Sequence, residues 1–254
     1  MTDKVVVIVQ ARLGSTRLPG KILMPLNGYS VLEHVLARCE KICGKDNVIC
    51  AGVDTPKEKP VRELVESLGY KFFAGSEADV LSRYYHAAKA EKADWVVRVT
   101  SDCPLLDPVV CRGLVETTVS SKADFGITVG WPHGLDCEVI TAELLEQSYQ
   151  CATSAADREH VTLWAKRAEG VKRLEYGPVR PIADVFNYRW VLDYPEDYEL
   201  LSQLFTDLGI LPPSDISYDT VISFLAKHSE LLAVNQQRIQ EWSEAYRKLL
   251  EQGQ

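Results

Sequence analysis

Three cations follow the first apolar run of this 254-residue chain. In "VVVIVQARLGSTRLPGKIL", Val5–Val9 give way to a loop holding Arg12, Arg17 and Lys21. Gly14 and Gly20 let its backbone approach a ligand closely, and Ser15 with the loop amides can form an anion nest. Positive charge of this density suits a polyphosphate. Two familiar phosphate loops do not fit. A P-loop needs GxxxxGK[ST], whereas five residues separate Gly14 from Gly20 and Ile22 follows Lys21; no GxGxxG occurs.

The elements around this loop alternate. Val5–Val9 reads as a buried strand. Ser30 and Glu33 form a capping box that opens a helix with Val31, Leu32, Val35, Leu36 and Cys39 on one face. "NVICAGV" reads as a strand. A helix opens at Pro60 and ends at Gly69. "KFFAG" is a strand, a helix capped by Ser76 follows, "WVVRVTSD" is a strand and "DPVVCRGLVETTVSS" a helix. This order predicts an α/β fold with a doubly wound, mostly parallel sheet. In such a sheet ligands bind outside the carboxyl ends of the strands, where the cationic loop lies.

After Lys122 the pattern loosens. "DFGITVGWPHGLDCEVIT" reads as two strands around a Gly/Pro loop, with Asp136 and Glu138 on one face of the second. Two helices are expected over about 142–167, a strand at "YRWVLD", a helix at "PEDYELLSQLFTDLG", and two tail helices between Tyr218 and Glu251. No repeat or linker breaks the chain. It reads as one domain, 1–254, with an excursion over about 123–180 and a helical tail over about 210–254.

Net charge is −8 with a pI near 5.2, which argues against sequence-independent nucleic-acid binding. Seven cysteines without a CxxC pair or zinc spacing predict a reduced, cytoplasmic protein with buried thiols. Asp3 and Lys4 lead straight into a strand, so no signal peptide is expected, and no apolar run reaches the ~20 residues of a membrane span.

"QARLGSTRLPGK" resembles the ARxxSxRLPGK signature of the cytidylyltransferases that activate acidic sugars, the CMP-KDO synthetases and acylneuraminate cytidylyltransferases. "SDCPLLDP", "PHGLDCEV", "REHVT" and "RWVLDYPEDY" are similar to blocks of the spore-coat polysaccharide SpsF-like branch. The resemblance implies a nucleotide-diphospho-sugar transferase fold and transfer of CMP from CTP to a nonulosonic or KDO-like acid, with pyrophosphate released. It further implies Mg²⁺, a homodimer joined through the excursion, and a role in cell-surface polysaccharide synthesis. Cys103 stands where CMP-KDO synthetases carry the acid of GDEP, so KDO itself is not implied.

The resemblance also implies residue roles. Arg12, Arg17, Lys21 and Asp102 would be catalytic, and Asp102 and Asp193 would hold the metal. Gln10, Ala11, Arg12, Gly14, Ser15, Lys21, Asp54, Gly75, Asp79, Arg83, Arg98 and Ser101 would bind the nucleotide. His133, Gly134, Asp136, Glu138, Arg158, His160 and Arg189, with Glu159 beside them, would bind the acceptor. Capping is the competing role for Asp102, Asp193 and Asp79. Another nucleotide, a phosphonate or other non-sugar acceptor, and a non-catalytic nucleotide-binding module remain open alternatives. A glycosyltransferase is disfavoured because no Asp-x-Asp stands at a strand end.

Overall fold

The computed structural model describes residues 3–251. Residues 1, 2 and 252–254, which the expected domain and tail include, lie outside the described residues. Seven strands form one sheet: β1 (Val5–Gln10), β4 (Val48–Val53), β5 (Lys71–Gly75), β6 (Trp95–Thr100), β7 (Phe125–Thr128), β8 (Glu138–Thr141) and β9 (Arg173–Tyr176). Their order is β5-β4-β1-β6-β8-β7-β9, and β8 alone runs against its neighbours. A small hairpin, β2 (Pro25–Leu26) and β3 (Tyr29–Ser30), turns through Asn27 and Gly28, both at positive φ.

Alternation along β1 explains the two faces. Val7 and Val9 pack with α1 (Val31–Cys43), α2 (Lys59–Ser67) and α4 (Pro108–Ser121). Val6 and Ile8 pack with α3 (Val80–Ala90) and α5 (Ala142–Cys151) on the other side. A third cluster joins Leu26, Trp190 and Leu192 to α8 (Pro195–Asp207) and α9 (Tyr218–Leu225). The chain moves from β1 outward through β4 to β5, then returns to place β6 on the opposite side of β1. The strand order therefore reverses between β1 and β6, which opens a crevice at their carboxyl ends.

The doubly wound sheet and the Ser30–Glu33 capping box match expectation. Several local assignments do not. Asp79, not Ser76, caps α3 by accepting from the Ser82 amide at 2.8 Å. Residues 142–167 form three helices, α5, α6 (Ala155–His160) and α7 (Leu163–Arg167). "YRWVLD" is no strand: it makes an isolated bridge, His133 to Arg189. Strand β9 was not anticipated, since Arg173–Tyr176 alternates over only four half-exposed residues. Five cysteines are buried as expected, but Cys43 is half-buried and Cys151 exposed. Among the described residues no helix is long and apolar enough to cross a membrane.

Candidate active site

Strand β1 ends at Gln10, and the loop that follows is folded back on itself. The Ser15 and Gly20 amides both donate to the Leu13 carbonyl, at 2.8 and 3.3 Å. Ser15 Oγ accepts from the Leu18 amide, and the Glu58 carboxylate accepts from the Leu13 amide at 2.9 Å. Gly20, at φ 69°, adopts the left-handed turn that a residue with a Cβ resists. That turn starts a short helical segment, Lys21–Leu23, and carries Lys21 inward until it is buried.

Lys21 Nζ donates to Asp102 Oδ2 at 2.6 Å and to Asp193 Oδ1 at 2.9 Å. Arg17 Nη2 reaches the same Asp193 oxygen at 2.7 Å, and Arg189 Nη2 the other at 3.2 Å. Burial pulls the Lys21 ammonium down, but the two carboxylates outweigh it, and its pKa is raised. Burial likewise pushes Asp193 up, and the cations Lys21, Arg17 and Arg189 outweigh that, leaving it below the usual carboxylate range. Both groups are held ionised at neutral pH.

Neither aspartate serves as a cap. Helix α8 is capped by the Asp197 carboxylate, which accepts from the Tyr194 amide at 3.0 Å. Asp102 follows the end of β6 and accepts from Lys21; its own carbonyl accepts from the Leu192 amide at 2.8 Å, which ties the Asp193 segment to the strand end.

A cleft of about 560 Å³ opens over these groups. Of the expected residues, Gln10, Ala11, Arg12, Gly14, Ser15, Arg17, Lys21, Arg83, Arg98, Ser101, Asp102, His160 and Asp193 line it. Thr16, Ile22, Val80, Thr100 and Glu159 complete the wall. Buried Arg83 keeps Nε and Nη1 without a hydrogen-bond partner among the described residues. Its burial lowers the guanidinium pKa, with Arg12 adding repulsion. Arg83 thus brings an incompletely paired guanidinium to the cleft wall.

Other expected residues stand away from the cleft lining. Asp54 gives its amide to the Gly75 carbonyl at 2.8 Å, and Asp79 caps α3 and pairs with Arg158 at 3.4 Å. Gly75 lies against Arg83, whose Cγ would be 2.8 Å from an added Cβ. Asp136 precedes β8 rather than lying on it, and accepts from the Gly134 amide at 3.0 Å. Glu138 is buried and enclosed by Arg98 at 2.8 Å, Lys166 at 2.5 Å and Thr162 Oγ1 at 2.8 Å. Three donors engage this carboxylate, and it does not line the cleft. Arg158 is engaged by Asp79 and the Tyr149 carbonyl, and Arg189 by Asp197 and Asp193. His133 faces Arg189 through Nδ1 at 3.1 Å and stacks on Trp242 at 4.4 Å. Gly134 packs against the Trp190 backbone. Only His160 and Glu159 of the acceptor set reach the cleft.

The sequence carried no sign of Asp197 or Asn235 as partners of the site; each is a buried polar residue in a helical context. Glu58 was equally hidden, although it anchors the cationic loop.

Asp102 and Asp193 supply hard carboxylate oxygens converging on one cationic atom. That donor set suits Mg²⁺, which takes one or two carboxylates and completes its shell with phosphate and water oxygens. No cluster of three or more His, Cys, Asp or Glu suited to a metal exists among the described residues, so the protein alone offers only part of a shell.

Comparison with known proteins identifies the family. The spore coat polysaccharide biosynthesis protein SpsF of Bacillus subtilis is 29% identical over 233 residues, 90% of this chain and 96% of that one. The 8-amino-3,8-dideoxy-manno-octulosonate cytidylyltransferase of Shewanella frigidimarina is 27% identical over 79% of this chain and 84% of its own. The solved structure of a cytidylyltransferase from Leptospira borgpetersenii superposes with a TM-score of 0.83 at 30% identity, covering 91% of this chain and 97% of that one. The cytidylyltransferase family model matches residues 6–239, and the chain belongs to the cytidylyltransferase family.

Proposed function

We propose that this protein transfers CMP from CTP to an acidic sugar, with Mg²⁺, and releases pyrophosphate for cell-surface polysaccharide synthesis. The observation that carries this reading is Lys21 Nζ held between Asp102 and Asp193 at the switch point of the sheet. The family supplies the nucleotide, and the acids named for relatives supply the acceptor class.

The acceptor hydroxyl attacks the α-phosphorus, and the bond to the β-phosphate oxygen breaks. Negative charge grows on the departing pyrophosphate. Arg12, Arg17 and Lys21 line the cleft and can take that charge, Lys21 and Arg17 by leaving their carboxylate partners, and cations of this kind lower the barrier. Asp102 and Asp193 would hold the metal, which supplies neutralisation of the triphosphate and a lower pKa for the attacking hydroxyl. Arg83, at the cleft wall beside Gln10, Ala11 and Ser101, would contact the nucleotide. His160 and Glu159 meet the acceptor at the cleft wall.

The test is pyrophosphate release with Mg²⁺ from each of the four ribonucleoside triphosphates, against nonulosonic acids, KDO-type sugars and simple phosphonates. Release with CTP and one acidic sugar is expected. Release only with another nucleotide would discard cytidylyl transfer and keep the cationic loop and carboxylates in their roles.

A further inference from the structure

Beyond α9, a short helical turn, Ser229–Ala233, leads to Asn235 and the C-terminal helix α10 (Gln236–Glu251). Asn235 is buried; its Oδ1 has no hydrogen-bond partner among the described residues, and its Nδ2 makes two bonds. Its Nδ2 donates to the Arg189 carbonyl at 3.0 Å and to Asp197 Oδ1 at 3.0 Å. Asp197 collects five donors in all: Arg189 Nε and Nη2, the Asp193 and Tyr194 amides, and Asn235 Nδ2. Arg189 in turn grips the Asp193 carboxylate.

Helix α10 touches the same cluster twice more. Arg238 lies over the Tyr194 ring at 4.1 Å, and Arg17 lies over that ring at 5.1 Å. Trp242 stacks on His133, whose Nδ1 faces Arg189. The tail therefore meets Asp193 through its backbone neighbour Tyr194 and through its charge partner Arg189.

We propose that Asn235 is a positioning residue of the reaction centre, acting through Asp197 and Arg189 on Asp193, with α10 as the element that delivers it. This rests on reading Asp193 as a metal-holding carboxylate. The physical reason is satisfaction. A buried carboxylate keeps one orientation only while its lone pairs are all used. Without Asn235, Asp197 Oδ1 keeps Arg189 Nε alone while Oδ2 keeps its three donors, and the Arg189 carbonyl loses its side-chain donor. The Arg189 backbone and the guanidinium that also serves Asp193 are then held less firmly. Partners behind a metal ligand commonly matter to affinity in this way.

The experiment titrates Mn²⁺ into the full-length protein saturated with α,β-methylene CTP, with the free ion read by electron paramagnetic resonance. Wild type, Asn235→Ala, Asp193→Asn, Asp197→Asn and the Asn235→Ala/Asp197→Asn pair are compared, and circular dichroism with thermal melting monitors folding. Asn235→Ala is expected to weaken Mn²⁺ roughly tenfold. In the Asp197→Asn background, Asn235→Ala is expected to add under about twofold, because the two act in series. A folded Asn235→Ala with unchanged Mn²⁺ affinity, beside a weakened Asp193→Asn, would overturn the inference alone. An Asp193→Asn that binds Mn²⁺ as wild type does would overturn the metal reading and the inference with it. Additive losses in the pair would also overturn the relay through Asp197.

Discussion

Lys21 Nζ donates to Asp102 Oδ2 at 2.6 Å, across a sequence separation of 81 residues. The same ammonium holds Asp193, so one buried lysine bridges two carboxylates at the cleft. Under the proposed function this lysine also meets the phosphates, and its removal leaves two faults. Developing charge on the leaving group loses a fixed cation, and the carboxylates lose their common partner. Lys21→Ala is expected to lower kcat by about 100- to 1,000-fold in a pyrophosphate-release assay. Turnover at the wild-type level in a folded Lys21→Ala protein would remove Lys21 from catalysis.

Asp193→Asn keeps the shape of the side chain and removes its charge. Arg17 and Arg189 then lose their shared anion, and the metal proposed to bind there loses one carboxylate. The Mg²⁺ concentration needed for half-maximal activity is expected to rise roughly 10- to 100-fold. An unaltered Mg²⁺ activation curve counts against Asp193 as a metal residue.

Glu138 offers a pH prediction. Burial raises its pKa, but Arg98, Lys166 and Thr162 prevail and hold it at about 2, below the ordinary value of 4.5. A depressed carboxyl stabilises the fold above its unfolded pKa, and that contribution disappears as pH falls toward the folded one. The contribution is on the order of 3 kcal/mol at neutral pH. Wild type should therefore lose stability between pH 5 and pH 2 more steeply than Glu138→Gln, beyond what other carboxylates cause in both. Parallel melting-temperature profiles for the two proteins would show that Glu138 carries no such linkage.

Gly134 tests the loop that supports Arg189. Its φ is 112°, and an added Cβ would lie 2.8 Å from the Trp190 carbonyl carbon. Backbone cannot yield as a flexible side chain can. Gly134→Ala is expected to cost about 1–3 kcal/mol in denaturant unfolding. It also disturbs the bridge between His133 and Arg189, so activity should fall with stability. A change below about 0.5 kcal/mol would mean that the loop relaxes freely.

Much of the fold was legible because the central strands are short apolar runs separated by helices with plain signals. Ser30 with Glu33, and Asp107 ahead of Pro108, state their caps locally. The cationic loop was legible for a related reason: Arg12, Arg17 and Lys21 follow closely on one strand end, and a doubly wound sheet aims its parallel strand ends at one edge. Asp102 followed from the same rule at β6.

Long-range choices could not be read in that way. Alternation along β8 assigns Glu138 a face, but only packing shows that Arg98, Lys166 and Thr162 cover it. The arginines Arg158 and Arg189 are of the right type for an acidic acceptor, yet Asp79, 79 residues from Arg158, and Asp197, 8 residues from Arg189, occupy them. Asn235 lies 38 residues from Asp197 and carries no local pattern. Sequence by itself determined which side chains a strand end presents, since strand geometry and loop reach are local. Tertiary structure alone decided which of those charges stay open to a ligand, because burial and pairing depend on whatever distant segment packs against them.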